Sequence, residues 1–391
     1  MSPLSSRTAF VACAAAAAIV SQTLPAPAQS PPSLHGYLEH QLSTTRTGSG
    51  WSQLDYDRLR LDLDAEAGRG TRVSAALVWQ LFRGNTRPSI SDYLPDELAG
   101  QAPSMLFQMG DREYLNHAYV SLCPGPFEVI AGKQHLNWGR AMVFNPTDLF
   151  RPKNLTEPSY EREGIGALSA SLPLGPLSDV MAAYVPEGGF DTSAKVLRAR
   201  THWGGFDLSL LGAELWEEPL ESRFSTSARE REQRFTVGGD VSGEMWGLGI
   251  WAEGTWSSMA DEDWVEFTAG ANYTLPSRTF LALEGYLDGR GEWSDPYDLD
   301  RWLAIFTGFR RTAGRGMLFG TVDHPFTDLL NAGLSGLGNT GDKSVLLIPH
   351  LSCAFAQDVD LTARILIPLG PDGTEFGTRD PGGFVRVRVY F

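Results

Sequence analysis

Residues 58–65 read RLRLDLDA, so an apolar residue occupies every second position from Leu59 to Ala65 and a charged residue lies between each pair. Successive side chains of a β-strand point to opposite faces, so this stretch predicts a strand with one apolar and one charged face. The same alternation recurs at residues 73–81, 197–203 and 385–391. Because no segment shows a convincing helical period, the chain is predicted to be all-β.

The composition excludes several classes of protein. The chain has 391 residues, a net charge of −15 and 42% hydrophobic residues. The mature part contains no apolar run of about 20 residues, which a membrane-spanning helix requires. An aromatic content of 11% argues against disorder, and the acidic balance argues against a nucleic-acid partner. Length alone suggests two or three soluble domains, but 42 glycines and 11 tryptophans favour one large barrel.

The first 28 residues have the pattern of a secretory signal peptide. Arg7 precedes an apolar stretch at residues 9–20, and Ala26-Pro27-Ala28 matches a cleavage site. The apolar stretch is too short for a permanent membrane anchor, so residues 1–28 are predicted to be removed and residues 29–391 to form one domain. Cys123 and Cys353 then remain, and either one disulfide or two unpaired thiols fits the sequence.

Eighteen strands are predicted, with sixteen as the alternative number. Their expected ranges are 34–44, 52–66, 71–84, 112–122, 127–136, 164–172, 177–186, 195–203, 206–216, 231–242, 246–257, 263–275, 278–288, 302–312, 316–325, 344–355, 359–369 and 383–391.

Short and long connections alternate along this series of strands. Every second connection is short, at 67–70, 123–126, 173–176, 204–205, 243–245, 276–277, 313–315 and 356–358. Those between them are mostly longer, including 85–111, 137–163, 217–230, 289–301 and 326–343. This regular alternation of short and long connections is typical of outer-membrane barrels, which have tight periplasmic turns and long extracellular loops. The sequence therefore predicts a closed antiparallel transmembrane β-barrel with both chain ends on the periplasmic side.

The last residues of the chain provide an independent signal. The sequence stops at Phe391, directly after the alternating Val387 and Val389. This ending resembles the terminal signature of Gram-negative outer-membrane barrels, in which a final aromatic residue is read by the barrel assembly machinery. The resemblance implies export to the outer membrane, with the assembly machinery, membrane lipid and lipopolysaccharide as partners.

A more specific resemblance lies at residues 132–152, GKQHLNWGRAMVFNPTDLFRP. The block resembles a G-K/R-Q, W-G, N-P-x-D, F-x-P motif of a poorly characterised group of porin-like outer-membrane barrels, which implies a protein that moves or holds substrates. Two interpretations of residues 137–163 stay open. Either this connection folds inward and narrows the lumen, or Asn145-Pro146-Thr147-Asp148 is a turn that caps the strand, with Trp138 packed on the rim.

The charged strand faces predict what lines the lumen. One basic wall is expected around the closure between the first and last strands, and an acidic wall farther round, so that a transverse field orients polar solutes. The simpler alternative is that these charges neutralise one another locally. The predicted lumen and constriction residues are Arg58, Arg60, Arg364, Arg386, Arg388, Trp138, Arg140, Asn145, Asp148, Asp240, Glu253 and Glu284.

No enzymatic site is expected, and neither a cofactor nor a metal. The seven histidines are scattered, and His135 with Asp148 is the one candidate pair. The preferred function is a porin-like channel for passive passage of small polar solutes. The alternatives are an outer-membrane part of an export or lipid-transfer system with a periplasmic or inner-membrane partner, and a non-conducting structural or adhesive barrel.

Overall fold

The computed structural model describes residues 31–47, 50–68, 70–101, 108–187, 189–218, 231–260, 262–293 and 296–391; the predicted signal peptide lies outside them. Strand bounds are β1 Ser33–Thr47, β2 Gly50–Glu66, β3 Thr71–Gly84, β4 Arg112–Leu122, β5 Glu128–Gln134, β6 Ile165–Gly175, β7 Ser178–Glu187, β8 Gly189–Trp203, β9 Phe206–Glu217, β10 Glu232–Met245, β11 Leu248–Met259, β12 Glu262–Thr274, β13 Phe280–Asp288, β14 Gly316–Pro325, β15 Leu330–Asn339, β16 Val345–Ala356, β17 Val359–Leu369 and β18 Gly382–Tyr390.

The strands form one closed sheet. Each strand pairs antiparallel with its neighbours in sequence, and β18 pairs with β1 to complete the ring. At the closure, Gly36 and Phe391 exchange two backbone hydrogen bonds of 3.0 and 3.1 Å. The predicted closed antiparallel barrel of 18 strands is confirmed.

The two ends of the barrel differ in their connections. The turn end holds both termini of the barrel. All eight connections there are short, and their lengths lie between that of 176–177 and that of 123–127. At the loop end the long connections are 85–111, 135–164, 218–231, 289–315 and 370–381. Short and long connections therefore lie at opposite ends of the barrel, but the predicted short turn 313–315 is wrong, because it lies inside the long connection 289–315.

Two of the predicted elements were wrong. One predicted strand is absent and one observed strand was not predicted, so the total number of strands is still the predicted one. Residues 302–312 are not a strand: helix α2, Leu299–Phe306, begins after Asp298, whose side chain accepts a hydrogen bond from Arg301 N and caps the helix. Conversely, 326–343 is not one long loop, because it contains β15. Its sequence LNAGLSGLGN is rich in glycine, which weakens the apolar alternation that marks a strand.

Among the residues that the structure describes, three short helices lie at the loop end. A 3₁₀ helix spans Ile90–Tyr93, and helix α1 spans Asp96–Ala99, before α2 in the chain. Side chains from these segments form a small hydrophobic cluster containing Leu94, Tyr297 and Trp302. Within the described ranges, no helix is long and apolar enough to cross a membrane.

The outer surface of the barrel is apolar. Large side chains such as Leu210, Leu283 and Val322 are exposed on it at alternating strand positions. The predicted assembly residues lie on β18 or directly after it; Val389 and Phe391 are exposed and alternate with inward Arg388 and Tyr390. The two remaining cysteines are unpaired.

Candidate functional site

Connection 135–164, here called the insertion, runs through the interior of the barrel. It leaves β5 after Gln134 and returns to the sheet at Ile165 on β6. Between those points it contacts inward-facing side chains of β11 and β13 and also those of β1, β2 and β18. These two groups of strands lie on opposite sides of an 18-stranded ring, so the insertion crosses the lumen.

Two buried carboxylates hold the first half of the insertion. Glu284 on β13 accepts backbone N–H hydrogen bonds from Met142, Val143 and Phe144 at 2.6, 3.0 and 2.8 Å, and one from Trp251 Nε1 at 2.9 Å. Glu253 on β11 accepts hydrogen bonds from the backbone N–H groups of Arg140 and Ala141. It also accepts hydrogen bonds from the side-chain atoms Asn145 Nδ2 and Thr147 Oγ1. Hydrogen bonds from N–H groups to a carboxylate belong to the stronger, charge-assisted class. Glu253 and Glu284 are called the carboxylate clamp below.

A glycine allows the chain to approach this clamp. Gly139 has a φ of +91°, in the left-handed region, and a Cβ atom there would come within 2.5 to 2.7 Å of the Glu253 carboxylate and Asn145 Nδ2. Any other residue would therefore disturb both the backbone and the clamp. This gives a physical reason for the Trp138-Gly139 and Asn145 positions of the 132–152 block.

The insertion also packs on apolar parts of the inner wall. Trp138 is buried, lies edge-on to Phe150, and belongs to a cluster with inward side chains of β6 to β9. Phe144 is fully buried and stacks on Tyr286 with ring centroids 4.5 Å apart, in a second cluster with β13 to β16. The insertion is thus wedged between two apolar patches of the lumen wall.

Polar contacts inside the insertion fix its shape. Arg162 forms an ion pair with the buried Asp148 and donates a hydrogen bond to Arg151 O at 2.6 Å. Lys153 Nζ donates to the carbonyls of Ala141 and Met142 at 2.6 and 3.1 Å. His135 bonds to Asn116 and to Arg162 O, so the pair considered from sequence, His135 with Asp148, is not a hydrogen-bonded pair.

The second half of the insertion meets four of the predicted arginines. Arg58, Arg60, Arg386 and Arg388 lie on β2 and β18, on either side of β1, and are called the arginine arc. The insertion faces them with Glu157, Tyr160 and Glu161, while Glu39 supplies a buried carboxylate from β1. The closest contacts are Arg60 to Glu161 at 2.6 Å, Arg386 to Glu157 at 2.6 and 2.8 Å, Arg388 to Glu39 at 2.5 and 2.7 Å, Arg58 to Tyr160 at 2.6 Å and Tyr160 to Glu39 at 2.7 Å.

The other predicted lumen residues are also placed inside the barrel. Asp240 accepts a hydrogen bond from Ser209 and lies 3.5 Å from Arg198 and 3.9 Å from Arg140. Arg364 donates to Thr156 O in the insertion at 2.7 Å. Each of these charged side chains thus has a partner nearby. The transverse field across the lumen stays a prediction.

Sequence reasoning missed several residues of the site. Glu39 was not singled out, although it lies on the polar face of β1 between Tyr37 and Gln41. The apolar inward positions that receive Trp138 and Phe144 were missed for a different reason. A water-filled barrel is expected to be polar inside, and no pattern within one strand shows that a segment from another part of the chain will cover it.

Two cavities lie on either side of the insertion. The turn-side cavity has a volume of about 350 Å³ and is bounded by residues 157–161 of the insertion and by β14 to β18. The loop-side cavity has about 540 Å³ and is bounded by residues 146–152 of the insertion and by β9, β10 and β12. The insertion therefore lies between open spaces that face the two ends of the barrel.

Connection 370–381 also reaches inward from the loop end. Its Phe376 is fully buried in the same cluster as Phe144 of the insertion. Beside it, Glu375 Oε2 accepts hydrogen bonds from Asn339 Nδ2 at 2.9 Å and from Gly314 N at 3.2 Å. Burial raises the pKa of the Glu375 carboxyl to about 7. An acid that titrates near neutral pH is therefore part of the contact that holds this connection.

Three solved structures share this architecture at low sequence identity. OccAB4 of Acinetobacter baumannii aligns with a TM-score of 0.56 and 10% identity over 94% of this chain and 99% of its own. OccK9 (OpdG) of Pseudomonas aeruginosa gives 0.57 and 10% over 92% and 98%, and OccK11 (OpdR) of the same organism gives 0.55 and 10% over 92% and 95%. Identity this low shows a shared fold alone, so this chain is a β-barrel with the same architecture as these proteins.

No family model and no curated protein matches this sequence. The resemblance of the 132–152 block to a particular group of barrels therefore stays a prediction.

Proposed function

We propose that the protein is an outer-membrane channel for the passive passage of small polar solutes, and that the insertion sets the width of its lumen. The observation that carries this proposal is the insertion itself, fixed across the barrel by the carboxylate clamp with a cavity on each side. A barrel of this strand number is wide enough to hold water unless segments fill it. A fixed segment of this kind narrows such a barrel without any moving part.

The outer face supports a position in a membrane. It presents alternating large apolar side chains such as Leu210 and Leu283, while charged groups point inward. A closed sheet pairs its strand backbone groups with one another around the ring, which is what a lipid environment requires of a spanning sheet. By this proposal the turn end faces the periplasm, the loop end faces the exterior and lipopolysaccharide, and residues 1–28 direct export in a Gram-negative cell before they are cleaved.

Solute flux into liposomes tests the proposal. Vesicles containing the purified mature chain are expected to swell in isotonic solutions of small sugars and amino acids, at a rate that falls steeply with solute size. Ser352, which lines the turn-side cavity, and Val322, which is exposed on the outer face, offer a matched pair. Ser352→Trp is expected to slow swelling, and Val322→Trp is expected to leave it unchanged. Absence of swelling with the wild-type protein, for every solute, would show that the proposal is wrong.

A further inference from the structure

The lining of the turn-side cavity has a definite chemistry. Its charged side chains balance almost completely, with Glu157, Glu161, Asp323 and Asp360 against Arg364, Arg386, Arg388 and His350. Its remaining polar side chains are hydroxyls and one amide, contributed by Ser159, Tyr160, Ser352, Thr362, Tyr390 and Asn331. A cavity that selects an ion would present an excess of one sign of charge, and this one does not.

The charges are, in addition, engaged with one another. Arg386 holds Glu157 through two hydrogen bonds, and His350 Nε2 lies 2.6 Å from Asp323 Oδ1. On the cross-strand ladder, Asp360 is the direct neighbour of Arg388. A paired charge attracts an incoming ion weakly, but its unused donor and acceptor sites can still form hydrogen bonds.

Two buried atoms of the lining lack a hydrogen-bond partner among the described residues. Arg364 Nε is a donor, and Asn331 Oδ1 is an acceptor. A buried polar atom is more stable when it is hydrogen-bonded. A hydroxyl group can bond to either atom, since it can accept a hydrogen bond from Arg364 Nε or donate one to Asn331 Oδ1.

From these observations we infer that the turn-side cavity is a binding subsite for uncharged, hydroxyl-rich solutes of the size of a sugar. Its volume of about 350 Å³ is at the lower end of the range for small-molecule sites. The exposed ring of Tyr390 supplies apolar surface against which the C–H face of a sugar ring can pack. The inference rests on the proposed channel function and adds the class of solute to it.

Ion current through a planar bilayer tests this subsite. Three probes of matched size differ in charge: glucose is neutral, glucosamine is cationic and gluconate is anionic. Added on the turn side, glucose is expected to interrupt the current in a concentration-dependent manner, and the two charged probes are expected to do so with similar or weaker potency.

Variants of the lining locate the effect. Asn331→Leu/Ser352→Ala/Thr362→Val removes three uncharged hydrogen-bonding groups and leaves the ion pairs intact. The half-blocking concentration of glucose is expected to rise about tenfold or more, since the hydrogen bonds that these three groups offer to the solute are lost. The control Thr255→Val changes a lumen-facing hydroxyl on β11, outside this cavity, and is expected to leave the block unchanged.

The outcomes separate this inference from the channel proposal. A current that glucose does not interrupt overturns the subsite and leaves the channel standing. A block by gluconate or glucosamine that is more than tenfold stronger than the block by glucose overturns the neutral class of solute. An unchanged glucose block in the triple variant places the binding elsewhere and overturns the subsite. No current under any condition overturns the channel proposal, and this inference with it.

Discussion

Replacing Glu284 by alanine is expected to release the first half of the insertion from the barrel wall. The Glu284 carboxylate is the acceptor for three consecutive backbone N–H groups, those of Met142, Val143 and Phe144. Alanine leaves these donors without an acceptor in a buried place, because Glu284 has no exposed surface at all. The insertion then gains hydrogen bonds by opening toward water, so the open state becomes more populated.

The magnitude follows from the three lost acceptor contacts. A buried donor left unsatisfied costs about 1–3 kcal/mol, so three of them cost at least about 3 kcal/mol. Each 1.4 kcal/mol corresponds to tenfold in an equilibrium constant, so protection of these amides against hydrogen exchange is expected to fall by at least about a hundredfold. Hydrogen exchange followed by mass spectrometry of peptides covering residues 139–148 measures this fall.

Glu244→Ala is the matched control, because Glu244 lies on β10 near the turn end and is exposed. That variant is expected to leave the protection of 139–148 unchanged. If Glu284→Ala changed the protection less than threefold, or if Glu244→Ala had the same effect, the clamp would not be what holds the insertion.

Three further predictions concern the lumen charges, the loop end and the outer face. Arg386→Ser/Arg388→Ser leaves the carboxylate of Glu39 uncompensated, so the reversal potential in a salt gradient is expected to shift toward cation selectivity; an unchanged potential would contradict this. Because burial raises the pKa of Glu375 to about 7, the stabilisation of connection 370–381 is fully present below pH 4.5 and about 3 kcal/mol is lost as pH rises through 7. Hydrogen exchange in 370–381, corrected for intrinsic rates, should show this loss, and Glu375→Gln should abolish its pH dependence. Leu283→Arg is expected to lower the free energy of unfolding in lipid vesicles by about 2–4 kcal/mol, measured by urea titration; a change near zero would mean that this face does not contact lipid.

The barrel was largely predictable because its strands carry their information locally. Alternation such as that of Leu59, Leu61 and Leu63 reports which face is outward, and the phase of the connections reports the direction of each strand. The errors fell where local signals conflict with the fold. Residues 302–312 have apolar content that suits a strand, but Asp298 caps a helix there.

The site could be predicted only in part, since its contacts join residues distant in sequence. The alternation of Arg386 and Arg388 with valines predicts that both face the lumen, and in the structure they contact Glu157 and Glu39. That Glu253 and Glu284 bind backbone N–H groups of the insertion depends on how a 30-residue connection crosses the barrel, which no single-strand pattern encodes. The same holds for the inward Phe319 and Leu337, which are apolar because the insertion covers them.

Single-channel conductance of the chain with and without the insertion tests the central claim most directly. In the variant, residues 139–162 are replaced by a short Gly-Ser linker. This removes the segment that the carboxylate clamp holds, its packing on the apolar patches of the lumen wall, and its acidic contacts to the arginine arc. The wild-type protein is expected to give small, discrete conductance steps in a planar bilayer, and the variant steps several times larger. Equal conductance for the two proteins, or no conductance from either, would contradict a channel whose width is set by the insertion.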